Sequence, residues 1–340
     1  MTDVTHPGLP AFAVGAINLA SARLGARGLY ATDAFFAPLE RMLADTDPHW
    51  DPNLYDDNGK WMDGWESRRK RVPGHDWAVI RLAMPGRIFG FDVDTHYFTG
   101  NYPPHCSIEA AFVEDGDPTD ATVWTEILGK SPLGPGAHHF FENAGKQELW
   151  THLRLHIYPD GGVARLRVYG SAYFDWSKVG ADDEVDLGYI FNGAKSLAWS
   201  DAHYGVPDKM LGPGRGLNMG DGWETKRRRG PGHDWAVIRL GHPGTIRRLI
   251  VDTAFFKGNF PDTCELLGAN RPDLGDTLSD ADIAASESWT PILPRTKLQM
   301  DHIHEFGTDA LTDIGPITHV RFAMHPDGGV MRLRLFGTKA

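Results

Sequence analysis

Residues 63–82 read DGWESRRKRVPGHDWAVIRL, and residues 221–240 read DGWETKRRRGPGHDWAVIRL. The alignment continues without gaps over 63–106 and 221–264, where 27 of 44 positions are identical. Identity of this extent at one fixed shift does not arise by chance. A spacing of 158 residues is far too long for a solenoid repeat, so the tract predicts a tandem duplication of a whole domain.

The duplication extends to both ends of each copy. The tetrapeptide Pro-Asp-Gly-Gly at 159–162 recurs at 326–329, at a shift of 167 rather than 158. This change of shift indicates that the two copies differ in the lengths of their loops. We therefore predict two tandem domains, residues 14–172 and 183–340, joined through a polar stretch at about 171–185.

The duplicated tract also predicts secondary structure. Trp77–Leu82 and Ile88–Thr95 are rich in β-branched and aromatic residues. Their counterparts in the second copy, Trp235–Leu240 and Ile246–Thr253, share this composition. Pro-Gly separates the two runs in each copy, so we expect two strands there in each domain.

Turn residues and glycine content point to the same fold class. Leu153–Tyr158 and Val163–Tyr169 flank Pro-Asp-Gly-Gly, a pattern typical of a β-hairpin. Helices are expected to be short, with Phe35–Ala44 the strongest candidate and Asp186–Phe191 a single turn. The 39 glycines and 23 prolines favour many turns between short strands. We therefore predict an all-β protein of two antiparallel β-sandwiches or jelly rolls, with working residues in the end loops.

Charge and composition exclude several classes of function. The net charge of −11 argues against a nucleic-acid partner, because phosphate binding needs a basic footprint. No apolar stretch approaches the roughly 20 residues of a membrane span, and the first residues lack the basic and apolar regions of a signal peptide. With two cysteines there is no disulfide framework, so a reducing cytoplasm is the expected location.

Motifs for several kinds of catalysis do not occur in the sequence. We find no Gly-x-Ser-x-Gly elbow, no Walker loop and no dinucleotide fingerprint. No Cys-x-x-Cys or His-Glu-x-x-His zinc motif occurs either. Cys106 and Cys264 hold equivalent places in the two copies, and we expect both to be small buried side chains rather than nucleophiles.

Polar residues that occur in both copies remain as candidates for chemistry. A buried cluster of Glu, Asp, His and Arg on loops would combine a cationic anchor with groups that move protons. Each candidate also has a structural interpretation as a turn, a cap or a solvated loop, and a duplication preserves structural and functional residues alike. The candidates are Glu66, His75, Asp76, Asp94 and Asn101 in one copy, and Glu224, His233, Asp234, Asp252 and Asn259 in the other.

Three segments together resemble the allantoicases. They are YDDNGKWMDGWESRRKR at 55–71 with the Gly-His-Asp-Trp that follows, ATDAFFAP at 31–38, and DGWETKR at 221–227. The resemblance runs from about residue 14 to the C-terminus and includes the two-repeat layout. It implies two jelly-roll, galactose-binding-like domains, hydrolysis of allantoate to ureidoglycolate and urea in the purine–ureide pathway, and a homo-oligomer.

The resemblance allows substrate contacts to be assigned. Allantoate carries a carboxylate and two ureido groups on one carbon. An arginine, Arg69 or Arg227, is expected to pair with the carboxylate in a bidentate manner. The other expected substrate contacts are Trp65, Trp223, Asp94, Asp252, Asn101 and Asn259.

Proton transfer is assigned to duplicated histidines and acids. Histidine titrates near neutrality, and a neighbouring Asp can fix its tautomer. The glutamate of each copy would bind the ureido N–H groups or act as the base. The proton-transfer candidates are His75, Asp76 and Glu66 in one copy, and His233, Asp234 and Glu224 in the other.

The two copies differ around these motifs. His96 and His105 of the first copy are replaced by Ala254 and Thr263. One site is therefore degenerate, or a single site draws on both copies, and the sequence leaves both alternatives open. No ligand spacing demands a metal, so no metal ligand is predicted, although His, Asp and Glu side chains could hold Mn²⁺.

Two rival functions also stay open. The first is a non-catalytic β-sandwich module that binds a carbohydrate or another small ligand, since a fold does not dictate function. The second is a hydrolase that acts on ureidoglycolate. An exposed aromatic platform would favour the binding module, and a closed pocket lined by Arg, His and acidic residues would favour the enzyme.

Overall fold

A computed structural model describes residues 9–13, 16–145 and 148–340. The chain divides into two compact units, one ending at Tyr173 and the other spanning Phe174–Ala340. They are called the first unit and the second unit below. The predicted start of the first domain at residue 14 lies outside the described residues.

The described residues of the first unit form twelve strands. They are β1 (Ile17–Asn18), β2 (Arg27–Ala31), β3 (Tyr55–Asp56), β4 (Gly59–Lys60), β5 (Trp65–Glu66), β6 (Asp76–Asp94), β7 (His105–Ala111), β8 (Thr125–Pro132), β9 (Phe140–Glu142), β10 (Trp150–Tyr158), β11 (Gly162–Val163) and β12 (Arg165–Ala172). The second unit repeats most of this order with β13 (Val185–Asp186), β14 (Lys195–Trp199), β15 (Trp223–Glu224), β16 (Asp234–Asp252), β17 (Thr263–Ala269), β18 (Thr290–Lys297), β19 (Ile303–Phe306), β20 (Ile317–His325), β21 (Gly329–Val330) and β22 (Arg332–Lys339).

Helices are short throughout the described residues. The α-helix α1 spans Asp280–Ala285, and Ser279 caps it through a hydrogen bond from the Asp282 amide. The 3₁₀ helices are Ala11–Ala13, Ala22–Leu24, Leu39–Leu43, Trp176–Lys178, Ile190–Asn192, Pro207–Leu211, Met219–Asp221 and Ser286–Ser288. None of the helices in this part of the chain has the length and apolar character needed to cross a membrane.

The long strand β6 organises the first unit. Its first half pairs with β2 and β10, and its second half pairs with β9 and β12. The strand therefore belongs to one layer ordered β2-β6-β10-β7-β8 and to another ordered β9-β6-β12-β1. Strand β16 has the same role in the second unit. The predicted all-β fold of two tandem, jelly-roll-like units is confirmed.

The predicted pair of strands in each copy is one continuous strand of 19 residues. The Pro-Gly expected to separate them, Pro85-Gly86, lies inside β6 at the point where its partners change. A Cβ on Gly86 would lie 2.6 Å from the Ser171 carbonyl and 2.7 Å from Leu19. Glycine is therefore required here because neighbouring segments pack closely against β6, and not because the strand ends.

The predicted hairpin at Pro-Asp-Gly-Gly is wrong. Strands β10 and β12 flank this turn, but both pair with β6 and not with each other. The connection instead carries the chain between the layers, and on the way β11 pairs with β5. The turn chemistry is local, whereas the choice of strand partner depends on β6, which lies far away in the sequence.

The helix predicted at Phe35–Ala44 is also wrong in extent. Only Leu39–Leu43 is helical, and it is a 3₁₀ helix that follows Pro38. Its Leu39, Met42 and Leu43 side chains are buried, so packing rather than helix propensity holds this segment. The single turn expected at Asp186–Phe191 is a short 3₁₀ helix shifted to Ile190–Asn192.

The two cysteines and the two duplicated tryptophans are buried in the core. Cys106 and Cys264 are fully buried and free, as predicted, and burial raises the pKa of each thiol to about 12. Trp65 and Trp223 have no exposed surface, and their indole Nε1–H groups donate to the carbonyls of Asp33 (2.8 Å) and Asp201 (2.9 Å). With a pKa of about 12, the thiols of Cys106 and Cys264 do not supply a thiolate at neutral pH.

A buried histidine in β20 should make the stability of the second unit depend on pH. Burial first, and then the charges of Arg239 and Arg271, lower the pKa of His319 from 6.5 to about 4. The unfolded chain binds more protons between these values, so His319 stabilises the fold fully above pH 6.5, and this is lost as pH falls toward 4. We expect a loss of about 3 kcal/mol of unfolding free energy across this window from this residue.

Denaturant unfolding measured at several pH values checks this expectation. The variant His319→Asn should show a smaller decline of the unfolding free energy between neutral and acidic pH than the parent chain. His203 of the same unit is exposed, and His203→Asn should retain the parent slope. Equal slopes in the parent and in His319→Asn would contradict the assignment.

Candidate active site

A glutamate and an asparagine form a pair in each unit. Asn101 Nδ2 donates to Glu66 Oε1 at 2.6 Å, and Asn259 Nδ2 donates to Glu224 Oε1 in the same way. In both units the two residues lie 35 positions apart in the sequence. All four were predicted as site residues, and the structure brings each glutamate together with its asparagine.

The backbone explains why the pair forms. Glu66 lies in β5 and is opposite Gly162 of β11. The Gly162 amide donates to the Asn101 carbonyl at 2.7 Å, so β11 links the glutamate strand to the asparagine loop. A Cβ on Gly161 would lie 2.7 Å from the same carbonyl, and the residue has φ +139°, so glycine is needed here.

The two glutamates differ in exposure. Glu66 is 9% exposed, and its burial raises its carboxyl pKa against the lowering effect of Asn101. Glu224 is half-buried and lies on the wall of a cavity. A group that transfers protons to a substrate must be reachable, so the second unit offers the better placed carboxylate.

The cavity of the second unit has a volume of about 480 Å³. Three predicted site residues line it, namely Glu224, Arg227 and Asn259. The other lining residues are Tyr204, Thr225, Arg228, Gly258, Phe260, Asp262, Pro326, Asp327 and Gly328. The wall therefore combines cations, acids and amides, and its volume falls in the range usual for small-molecule sites.

Arg228 is fixed within this wall. Its guanidinium Nη2 donates to Asp234 Oδ1, and its backbone amide donates to Asp327 Oδ2 at 2.9 Å. Ser200 Oγ also donates to Asp234 Oδ1 at 2.9 Å. Asp234 is 1% exposed and is not among the residues that line the cavity, so it binds Arg228 from the protein interior. In the first unit Lys70 and Asp76 form the corresponding ion pair.

The predicted His-Asp proton-transfer units are not assembled. His75 and Asp76 are neighbours at the entrance to β6, and successive side chains of a strand point to opposite faces. Asp76 accepts hydrogen bonds from Thr32 Oγ1 (2.7 Å) and from Lys70. The His75 ring contacts His156 instead, at 2.9 Å between Nε2 and Nδ1.

Burial is the largest influence on the pKa of His75 and of His233. Burial, followed by the charges of His156 and Lys70, lowers the pKa of His75. In the second unit burial and His325 lower the pKa of His233, whose ring centroid lies 4.4 Å from that of His325. His233 is not one of the residues that line the described cavity.

Asp94 and Asp252, the last residues of β6 and β16, contact the loop that follows each strand rather than the glutamate–asparagine pairs. Asp94 is fully buried, and its Oδ1 accepts from the amide of His96 at 2.8 Å and contacts His96 Nδ1 at 2.6 Å. Asp252 is 4% exposed, and its Oδ1 accepts from the Ala254 amide at 2.8 Å. Their carboxylates thus organise the loop that follows each long strand.

The remaining predicted contacts lie elsewhere. Trp65 and Trp223 are enclosed in the core, and Trp223 is not among the residues that line the described cavity. Arg69 is exposed on the surface of the first unit. Substrate contact by either tryptophan stays a prediction, and each tryptophan belongs to the same short strand as its neighbouring glutamate.

Among the cavity residues that were not predicted as site residues, three carry a charge and one is a tyrosine, side chains suited to binding a polar substrate. Tyr204 replaces the phenylalanine of the first copy, and Asp262 replaces a proline. Asp327 lies in the duplicated Pro-Asp-Gly-Gly, which was interpreted only as a turn. Arg228 lies in the run of four basic residues at 226–229. For Tyr204, Arg228 and Asp262 the available signal was a difference between the two copies of the repeat, whereas Asp327 is identical in both copies and gave no such signal.

Fold and cavity together define a class: a duplicated β-sandwich protein with a charged, small-molecule-sized cavity at its loops. The allantoicase repeat family matches residues 17–173 and 185–340. A probable allantoicase of Rhizobium meliloti (strain 1021) is 53% identical over 335 residues, covering 98% of this chain and 96% of the relative. One from Stutzerimonas stutzeri (strain A1501) is 54% identical over 321 residues, covering 94% and 96%.

Solved structures agree with this result. The crystal structure of allantoicase from Saccharomyces cerevisiae matches with a TM-score of 0.78 at 35% identity, covering 95% of this chain and 93% of that one. A second allantoicase structure matches with a TM-score of 0.80 at 34% identity, covering 96% and 94%. The chain belongs to the allantoicase family. The prediction of an enzyme of this family is therefore confirmed.

Proposed function

We propose that the chain hydrolyses allantoate to ureidoglycolate and urea, and that the cavity of the second unit is the site. The observation that carries the location is the half-buried Glu224–Asn259 pair beside two arginines in a cavity of about 480 Å³. Relatives named as allantoicases, more than half identical over nearly the whole chain, support the reaction. The charged lining favours an enzyme over a module that binds sugars on an aromatic platform.

The cavity offers complementary partners for each part of allantoate. Arg227 is exposed and lines the cavity, so its guanidinium is free to take the substrate carboxylate in a bidentate pair. Arg228 adds positive charge but is held by Asp234. The ureido N–H groups are donors, and the carboxyl groups that line the cavity to receive them are those of Glu224, Asp262 and Asp327.

Glu224 is the group that moves protons in this proposal. Its carboxyl group protonates the departing ureido nitrogen, and the lone pair of the other ureido nitrogen expels urea and forms a C=N bond. The resulting carboxylate then takes a proton from water, whose oxygen bonds to the same carbon. One C–N bond is exchanged for one C–O bond, and Glu224 regains its proton. Asn259 holds Oε1, which leaves Oε2 to face the substrate.

A urea-release assay on the parent chain tests the proposed reaction. We expect urea and ureidoglycolate in equal amounts from allantoate, and much slower urea release from ureidoglycolate offered alone. Faster release from ureidoglycolate would favour the rival hydrolase. No urea from either compound would contradict the proposed function.

Replacing the carboxylate anchor should affect substrate binding. We expect Arg227→Ala to raise KM for allantoate by about 10- to 100-fold, because a hydrogen-bonded charge pair contributes about 1.5–3 kcal/mol. Arg69→Ala changes the equivalent position of the first unit and serves as the matched control, with KM close to that of the parent. Steady-state urea release measures both, and an equal effect in the two variants would contradict the location.

We also propose a homo-oligomer in a cytoplasmic location, with no nucleic acid as partner. The net charge of −11 and the two free, buried cysteines are consistent with this setting. Light scattering of the purified chain should give a mass that is a multiple of 37.6 kDa. A mass equal to one chain over the working concentration range would contradict the oligomer.

A further inference from the structure

A second polar cluster lies in the first unit, at the end of β6. Asp94, His96 and His138 each offer a ligand atom, and these atoms lie within 4.8 Å of one another. His138 Nδ1 is 3.8 Å from Asp94 Oδ2, and the His96 and His138 ring centroids are 4.8 Å apart. Asp92 joins the cluster through a contact of 2.9 Å between its Oδ2 and His138 Nδ1.

Two carboxylates in this cluster are buried with oxygens that lack a partner. Asp94 is 0% exposed and Asp92 is 1% exposed. Asp94 Oδ2 and Asp92 Oδ1 have no hydrogen-bond partner among the described residues. A buried carboxylate oxygen without a donor is costly, because desolvation of the charge is not compensated. Asp94 Oδ2 faces His138, so the unused oxygen points into the cluster.

Arg167 lies beside both buried carboxylates of the cluster without forming a hydrogen bond to them through Nη1. Arg167 Nη1 lies 3.7 Å from Asp92 Oδ2 and 3.9 Å from Asp94 Oδ2, and this nitrogen has no hydrogen-bond partner in the described part of the chain. A divalent ion held by the two histidines would place positive charge beside these two buried carboxylates.

The second unit provides an internal comparison. It keeps the strand-end aspartate as Asp252 but has Ala254 and Ile250 where the first unit has His96 and Asp92. The residue paired with Asp252 on β19 is Ile303, an apolar side chain with no ligand atom for a metal ion. There the corresponding loop is closed by an ordinary hydrogen bond from the Ala254 amide. The histidines and second aspartate around Asp94 therefore have no counterpart around Asp252, and they are not needed to form the turn.

We propose that Asp94, His96 and His138 bind a divalent transition-metal ion in the first unit. Two imidazoles and a carboxylate suit Zn²⁺ and related divalent transition-metal ions. The ligand atoms around one such ion lie up to about 4 Å from one another. The side chains of His96 and His138 are 39% and 41% exposed, so the ion can enter from solvent and the rings can rotate onto it. Asp92 orients His138, in the way that carboxylates support histidine ligands.

Zinc titration of the full-length chain tests this site. After dialysis against a chelator, ZnCl₂ is titrated against a chromophoric competitor, and we expect one tight equivalent per chain. The double variant His96→Asn/His138→Asn should bind Zn²⁺ about 100-fold more weakly or not at all. MnCl₂ should bind more weakly than ZnCl₂, following the usual order of divalent ions.

A matched variant separates this site from the other histidine–acid cluster. His233, Glu265 and His325 also form a possible three-ligand group in the second unit. His233→Asn/His325→Asn should therefore keep the tight equivalent. Loss of binding in this variant alone, or Zn²⁺ affinity that is equal in the parent and in His96→Asn/His138→Asn, would overturn the proposal.

Thermal unfolding gives a readout that is independent of catalysis. Zn²⁺ should raise the Tm of the parent and of His233→Asn/His325→Asn, because an ion that binds only the folded state stabilises it. It should leave the Tm of His96→Asn/His138→Asn unchanged. The site does not depend on the proposed function, since absence of urea release would leave zinc binding to be measured as before.

Discussion

Glu224→Gln is expected to lower kcat for urea release from allantoate by about 100- to 10,000-fold, the usual contribution of a general acid or base. Glutamine keeps the shape and can still accept the Asn259 hydrogen bond, so the cavity should stay intact. It cannot donate an acidic proton to the departing nitrogen or take one from water. KM should change little, because the substrate carboxylate is bound by Arg227 and not by Glu224.

The first unit supplies the matched control for this variant. Glu66 occupies the equivalent strand position and accepts from Asn101 at 2.6 Å, but it is 9% exposed and is more deeply enclosed than Glu224. Glu66→Gln should therefore leave kcat close to that of the parent. A large loss in Glu66→Gln with near-normal turnover in Glu224→Gln would move the reaction to the first unit and contradict the proposed location.

Trp223→Ala should produce the largest loss of stability. Trp223 lies in β15 with a fully buried side chain, and its indole donates to the Asp201 carbonyl at 2.9 Å. Truncation of a fully buried tryptophan costs about 3–5 kcal/mol, since it removes apolar contacts and leaves a cavity. Guanidinium unfolding of the chain should show this loss in the transition of the second unit.

An exposed side chain of the same unit gives the comparison. Leu217 is 79% exposed, and Leu217→Ala should alter the unfolding free energy by less than about 0.5 kcal/mol. The milder variant Trp223→Phe separates packing from substrate contact, because it should lower stability while KM stays near the parent value. A strongly raised KM with unchanged stability would return Trp223 to the substrate-binding surface.

The duplication and the all-β class could be predicted because both are written in local patterns. The tract around Asp63–Leu82 recurs nearly unchanged, and β-branched runs mark β6 and β16. The layer arrangement could not be predicted in the same way. It depends on β6 exchanging partners halfway along its length, so the turn at 159–162 joins two layers instead of closing a hairpin.

The candidate site shows the same division. Glu224, Arg227 and Asn259 were identified from the repeat and lie together, but their contact across 35 residues depends on the pairing of β15 with β21. The pairing of His75 with Asp76 was inferred from adjacency. Strand alternation separates these side chains, and each finds a distant partner that only the fold provides.

Hydrogen exchange of the Glu224→Gln chain with and without allantoate tests the central claim most directly, because the inactive variant holds the substrate without turnover. Substrate bound in the second unit should slow amide exchange at residues 224–228 and 258–262, which line the cavity. The equivalent segments of the first unit, 66–70 and 100–104, should exchange at unchanged rates. Protection confined to the first unit's segments would contradict the account.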